Sequence, residues 1–119
     1  MIEEYKFGFI IINGEKYEYD VQVFWTGEVL KWWRKASHNV ELDDLKEALE
    51  INPEIVIIGK GQPGEMEVSD EVKKKLKEKN IELIIDGTEE AVKTFNVLVS
   101  QAEEDEEERQ IIGLFHLTC

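Results

Sequence analysis

The sequence predicts an α/β fold of the α+β kind, with an N-terminal β-meander joined to a mixed sheet that later βα units complete. Three observations predict it. Asn13-Gly14 lies between two stretches of strand-forming residues, which is the signature of a tight hairpin. The β-branched run Ile55-Val56-Ile57-Ile58 ends at Gly59, as a buried parallel strand does when it delivers a loop to the surface. Beyond it, amphipathic helical stripes alternate with short apolar runs, the order from which crossover units are built.

Residues 5–12 and 16–24 favour strand, and Asn13-Gly14 supplies the positive φ angles of the turn between them. In the second stretch Tyr17, Tyr19, Val21 and Val23 alternate with Lys16, Glu18, Asp20 and Gln22, so one face is expected buried and the other wet. Thr26-Gly27 turns the chain into a third strand, Glu28 to Trp33. Adjacent tryptophans on a strand point to opposite faces, so either both sides are covered or one ring stays exposed as a contact surface.

Leu42, Leu45, Ala48 and Leu49 form the first helical stripe, which Asn52-Pro53 ends. His38 precedes that helix and is placed to cap or orient it. After the strand at 55–58, Ser69 is the N-cap of a helix reaching about Lys79, with Val72 and Leu76 inward, acids first and lysines later. Asn80 closes it in a left-handed conformation before a strand at Ile81 to Ile85. Thr88 is read as the cap of a third helix with Ala91, Val92, Phe95, Leu98 and Val99 on its buried face. Glu103 to Glu108 is a solvated acidic loop, and Gln110 to Leu117 a final apolar strand.

A chain of 119 residues fits one domain, 1–119, around a single core. No apolar run approaches the ~20 residues needed to span a bilayer, and Met1-Ile2-Glu3-Glu4-Tyr5 lacks the regions of a signal peptide, so the expected location is cytoplasmic. Cys119 is the sole cysteine, which agrees with a reducing compartment. A net charge of -13 repels phosphate backbones and anionic lipid, so neither nucleic acid nor membrane is an expected partner. Glu and Lys dominate the charges while Arg is scarce, a bias shared with hyperthermophile proteins.

Gly59-Lys60-Gly61-Gln62-Pro63-Gly64 invites a phosphate-loop reading, but a Walker loop needs Ser or Thr directly after Gly-Lys, and here Glu65 and Glu67 crowd the approach. The plainer reading is a tight strand-to-helix turn in which glycine is needed for its φ. His116 and Cys119 stand three residues apart, yet a nucleophile or metal site needs fixed geometry, and a chain end is mobile unless tied down. Nothing links Ser37, Ser69 or Ser100 to a histidine and a carboxylate as a triad would require. No catalytic residue, metal ligand or cofactor is therefore assigned. Asn96, beside the buried stripe of the third helix, needs hydrogen-bond partners and is expected to tie that helix to a neighbouring loop.

Gly8 through Asn13-Gly14, Trp32-Trp33, the run Ile55 to Gln62, Thr88 to Asn96 and His116 to Cys119 together resemble a domain-of-unknown-function family. That family includes the mitochondrial complex I assembly factor 3 and the adipogenesis-associated domain protein, with archaeal-type single-domain members. The resemblance covers nearly the whole chain. It implies a three-layer β/β/α domain and no established reaction, and one branch works by protein association. This sequence departs from the family pattern in carrying Lys60 between the two glycines, where Thr is common, and in its longer acidic run.

Two expectations follow. One is a non-enzymatic protein-binding or assembly module with Trp32 and Trp33 as contacts and a protein partner or second copy as occupant. The other is a small-molecule site, for an anionic ligand, formed by Gly59, Lys60, Gly61, Gln62, Thr88 and Asn96 at the carboxyl ends of parallel strands.

Overall fold

In a computed structural model describing residues 1–36 and 38–119, the chain opens with β1 (Ile2–Lys6), β2 (Phe9–Ile12) and β3 (Glu15–Tyr17). These form an antiparallel three-stranded sheet. Asn13 and Gly14 take φ of 50° and 83°, the left-handed pair that the hairpin between β2 and β3 requires. The expected strand at 5–12 is in fact interrupted at Phe7-Gly8. Gly8 adopts φ 97° and gives its N–H to the Leu117 carbonyl, so the chain reverses there.

The expected strand at 16–24 also divides. After Tyr17 the chain leaves the first sheet, and β4 (Val21–Phe24) enters a second one beside β5 (Val29–Lys31). Then follow β6 (Asn39–Val40), a 3-10 turn at Leu42–Leu45, α1 (Lys46–Glu50), β7 (Ile55–Gly59) and β8 (Glu67–Val68). The chain finishes with α2 (Asp70–Glu78), β9 (Glu82–Asp86), α3 (Thr88–Glu104) and β10 (Ile111–Phe115). The strand order in the second sheet is β5-β4-β10-β7-β9, so the last strand lies at the centre, parallel to β7 and antiparallel to β4. The two-residue strands β6 and β8 pair in parallel and are too short to show a period.

The five-stranded sheet is the middle of three layers. On one face Val21, Val23, Ile55, Ile57, Ile111 and Phe115 pack against Ile2, Ile10 and Ile12 of the small sheet and Ala91, Phe95 and Val99 of α3. On the other, Val56, Ile58, Ile112 and Leu114 pack against Leu45, Ala48, Val72, Leu76 and Trp32. The small sheet thus shares its layer with α3. Covering both faces explains why the alternation expected for residues 17–23 fails. Gln22, read as wet, is 2% exposed with its Nε2 donating to the Lys31 carbonyl, while Tyr19, read as buried, is exposed where the strand changes sheets.

Local chemistry sets most helix ends. Ser69 Oγ accepts from Val72 N as the cap of α2, and Asn80 beyond it takes φ 59°. Glu41, not His38, caps the 3-10 turn through a reciprocal box with Asp44. At α3 the expected cap is displaced by one residue: Gly87 holds the cap position, and Thr88 is the first helical residue, fully buried. The helix runs on to Glu104, so the acidic segment begins as its exposed last turn. Among the described residues, no helix is long and apolar enough to cross a membrane.

The two tryptophans have opposite fates. Trp32 is 3% exposed and its indole N–H donates to the Asp44 carbonyl at 2.9 Å, whereas Trp33 is 69% exposed. Trp32→Ala is expected to cost ~3–5 kcal/mol in urea denaturation followed by circular dichroism. Trp33→Ala should stay within ~0.5 kcal/mol of the parent. Equal losses from both would show that Trp33 also packs in the core.

Candidate functional site

Residues 116–118 follow the central strand and thread between the Gly59–Gly64 loop, α3 and the small sheet. Five of their backbone groups are hydrogen-bonded. His116 N donates to Gly59 O at 3.0 Å, and its carbonyl accepts the Thr88 hydroxyl at 2.6 Å. Leu117 N donates to Asp20 Oδ1 at 2.9 Å, and its carbonyl accepts Gly8 N at 2.9 Å and the Tyr5 hydroxyl at 3.0 Å. Thr118 O accepts Gln62 N at 3.0 Å. The tail is thus tied down at three successive residues, His116, Leu117 and Thr118, directly before Cys119.

Thr88 is the hub of this arrangement. Its Oγ1 accepts from Gly61 N at 2.8 Å while donating to His116 O, so one hydroxyl joins β7's loop, α3 and the tail. The two glycines make room for it. A Cβ on Gly59 would lie 2.8 Å from Thr88 Oγ1 and 3.0 Å from its Cα. A Cβ on Gly61 would overlap the Thr118 carbonyl oxygen, and its φ of 88° independently favours glycine. The amides of Lys60, Gly61 and Gln62 donate to Asp86 O, Thr88 Oγ1 and Thr118 O. Three consecutive amides that a phosphate cradle would offer are thus already engaged.

Of the residues read as one pocket, Gly59, Gly61 and Thr88 are therefore brought together, as packing partners. Gln62 is exposed at the loop. Lys60 turns to the opposite side, into a hollow of about 320 Å³ that Met66, Glu67, Val68, Lys73 and Ile85 also line. Asn96 stands eight residues along α3 from Thr88, about 12 Å at 1.5 Å per residue. Its side chain is spent on β1, accepting from Ile2 N at 3.1 Å and donating to Ile2 O at 2.8 Å. It ties the helix to a strand, where a loop was expected.

A buried charge cluster, unread in the sequence, sits beside the tail. Asp20 Oδ2 accepts from Arg34 Nη2 at 2.7 Å and lies 2.8 Å from His116 Nδ1. A carboxylate at that distance requires the proton on Nδ1, which makes the 2.9 Å approach of Arg34 Nη2 to the same nitrogen a packing contact. Arg34 also lies over the Trp32 ring, 5.2 Å from its centroid. Burial alone would push the Asp20 carboxyl up, but hydrogen bonds from His116, Arg34 and the Leu117 amide outweigh it and hold the group below the usual carboxylate range. The Asp–His pair is the orienting half of a triad without the rest. His116 is 5% exposed, and its buried Nε2 finds no partner among the described residues. The ring edge packs where a Gly61 side chain would stand. Ser37 lies outside the described residues. Among those described, no group of three or more His, Cys, Asp and Glu side chains is placed to hold a metal.

At the β5 end of the molecule is an exposed aromatic patch. Lys31 Nζ lies 4.1 Å from the Trp33 ring centroid and 5.1 Å from that of Tyr19, and Tyr17 meets Tyr19 edge-on at 5.9 Å. A hollow of about 480 Å³ is an open groove between α1 and α2 lined by Leu42 and Leu49, and none of the residues read as site residues in the sequence lines it.

Thr88→Val keeps the shape of the side chain but removes the hydroxyl, and should cost about 1–3 kcal/mol for each of the two buried groups left unpaired. Thr88→Ser keeps the hydroxyl and should lose only about 1 kcal/mol, the value of one methyl group. A Val variant as stable as the Ser variant in denaturant titration would disprove the bracket.

Because the folded Asp20 value is depressed, its stabilisation is fully present above the unfolded carboxylate value of about 4 and is lost as pH falls through the lower folded value. Asp20→Ala, which leaves Arg34 without its carboxylate, should cost ~3–5 kcal/mol at neutral pH. That difference from the parent should narrow as the buffer is acidified below about 4. A difference independent of pH across that window would assign the loss to packing alone.

Comparison with known proteins agrees with this architecture. A conserved hypothetical protein from Pyrococcus horikoshii OT3 is 25% identical and superposes with a TM-score of 0.80 over 100% of this chain and 99% of that one. A protein named MT938 is also 25% identical, with a TM-score of 0.77 over 100% and 98% of the two chains. A Xanthomonas campestris protein solved by NMR shares the fold at 17% identity, with a TM-score of 0.78 over 98% of this chain and 83% of that one. The family model described as Protein of unknown function (DUF498/DUF598) matches residues 2–116, and the chain belongs to that family.

Proposed function

We propose that this chain, acting as one domain over residues 1–119, is a non-enzymatic protein-binding module whose contact surface is the patch around Trp33 at the β5 edge. The observation that carries the reading is Trp33 itself: a tryptophan 69% exposed, beside Lys31 and Tyr19, two residues beyond the terminal strand of the five-stranded sheet. The few residues that dominate the energy of protein interfaces are enriched in tryptophan, tyrosine and arginine. The outer edge of β5 has no strand partner among the described residues and can accept an extended segment through its backbone groups.

The occupant is an extended segment of another protein, with basic residues flanking the part that lies along β5. The net charge of -13 supports that choice, since it attracts a basic partner and repels a second copy. The same charge argues against nucleic acid. Association is also how one branch of the resembling family works, and that of complex I assembly factor 3 supports an assembly role without naming this chain's partner. The sole thiol at Cys119 supports a reducing compartment, and the Glu- and Lys-rich, Arg-poor composition a heat-adapted source.

A photo-crosslinker placed at position 33 in the native host should capture one defined protein through a basic, extended segment. With the purified pair, Trp33→Ala should weaken binding by about 2 kcal/mol or more, roughly thirtyfold, while leaving thermal stability unchanged. No adduct, adducts only to a second copy, or unchanged affinity in Trp33→Ala would overturn the proposal.

A further inference from the structure

The hollow at Lys60 lies near the opposite edge of the sheet from the β5 patch, where β7 and β9 end. Its walls come from four places in the chain: Lys60 after β7, Met66 to Val68 at β8, Lys73 in α2, and Ile85 near the end of β9. Met66 lies fully buried beneath the hollow, Val68 and the half-buried Ile85 supply its small apolar part, and Lys60 and Lys73 line it from separate elements. Neither lysine has a carboxylate within ion-pair distance among the described residues, although Glu67 lines the same hollow. That is notable in a chain with 27 acidic residues against 14 basic ones.

We infer that this hollow binds a small organic monoanion, a carboxylate on a short apolar body, with Lys60 and Lys73 on the carboxylate and Val68 and Ile85 against the body. Size, charge and position each contribute. A volume of about 320 Å³ falls at the lower end of ligand sites, which suits a small molecule. Two lysines act as point charges and lack the planar fork with which arginine grips phosphate. Glu67 opposes a second negative charge, so a monoanion is favoured over a phosphate dianion. The carboxyl ends of parallel strands are where open α/β sheets present ligands. The Lys60 side chain is aimed there by its backbone, whose N–H is fixed on Asp86 O at 2.8 Å between the two constrained glycines.

The test is a heteronuclear NMR titration of the full chain with butyrate, isovalerate and 4-methylvalerate, beside 4-methylvaleramide and inorganic phosphate. At least one carboxylate should give saturable shifts at Lys60, Val68, Lys73 and Ile85, and the neutral amide none. Lys60→Met and Lys73→Met, both at positions that tolerate loss of charge without leaving a buried partner, should each weaken binding about tenfold while the spectrum stays folded. Absence of saturable shifts with all three carboxylates, equal binding of the amide, or phosphate binding as tight as the best carboxylate would each overturn the inference. Trp33→Ala should leave the titration unchanged, so this site and the β5 patch fail or stand separately.

Discussion

The clamped tail at residues 116–118 is the constraint on which the rest of the structure depends. A strand at the centre of a sheet is committed on both sides, so its continuation leaves the sheet surrounded by other elements, and its polar groups must find partners among them. Here they find Gly59, Thr88, Asp20, Gly8, Tyr5 and Gln62. The Thr88 hydroxyl is used twice, which demands that α3 begin within van der Waals contact of β7's end. That closeness leaves no room for a Cβ at Gly59, and the tail itself leaves none at Gly61. The glycine motif is in this sense a consequence of the threonine and the tail, and its ligand is the protein's own backbone.

Asp20 solves the second problem of the fold, the passage of the chain between two sheets. A segment that leaves one ladder before joining another exposes polar groups in the interior, and an ionised side chain there needs several donors. Arg34, His116 and the Leu117 amide supply them. The same carboxylate therefore anchors the β3–β4 crossing, the segment after Trp33 and the tail. An ion pair of this kind specifies which segments meet more than it adds net stability, because desolvation offsets much of the Coulomb attraction.

These two constraints also decide what is left for a partner or ligand. Trp32 and Trp33 follow the last strand residue of the sheet's edge, and the chain's twist there gives one ring to the core against Arg34 and the other to solvent beside Lys31. At the far edge, the amides of the glycine loop are consumed internally while the Lys60 side chain, pointing to the other face, remains available. Both exposed features lie beside hydrogen-bonded backbone, Trp32 N on Asp20 O and Lys60 N on Asp86 O.

The local elements were legible in the sequence because their causes are local. Asn13-Gly14 needs only its own φ angles, Ser69 only the amide three residues on, Pro53 only its missing N–H, and Ile55 to Ile58 only a two-sided apolar environment. The family motifs likewise located Thr88, Gly59 and Gly61 without revealing that they touch. What the tertiary structure alone decided are relations between distant positions: the breaks at Gly8 and after Tyr17, the two-residue strands β6 and β8, the burial of Gln22, and the choice between Trp32 and Trp33. His116, at the end of an apolar strand, was legible as a ring hydrogen-bonded at the sheet's end, but its partners Asp20 and Arg34 carried no signal, because the three are 14 to 96 residues apart. Sequence periodicity reports one environment per element, whereas a hydrogen bond across such a separation exists only after the sheets are stacked, and that stacking turned a glycine loop read as a ligand cradle into the socket for the chain's own tail.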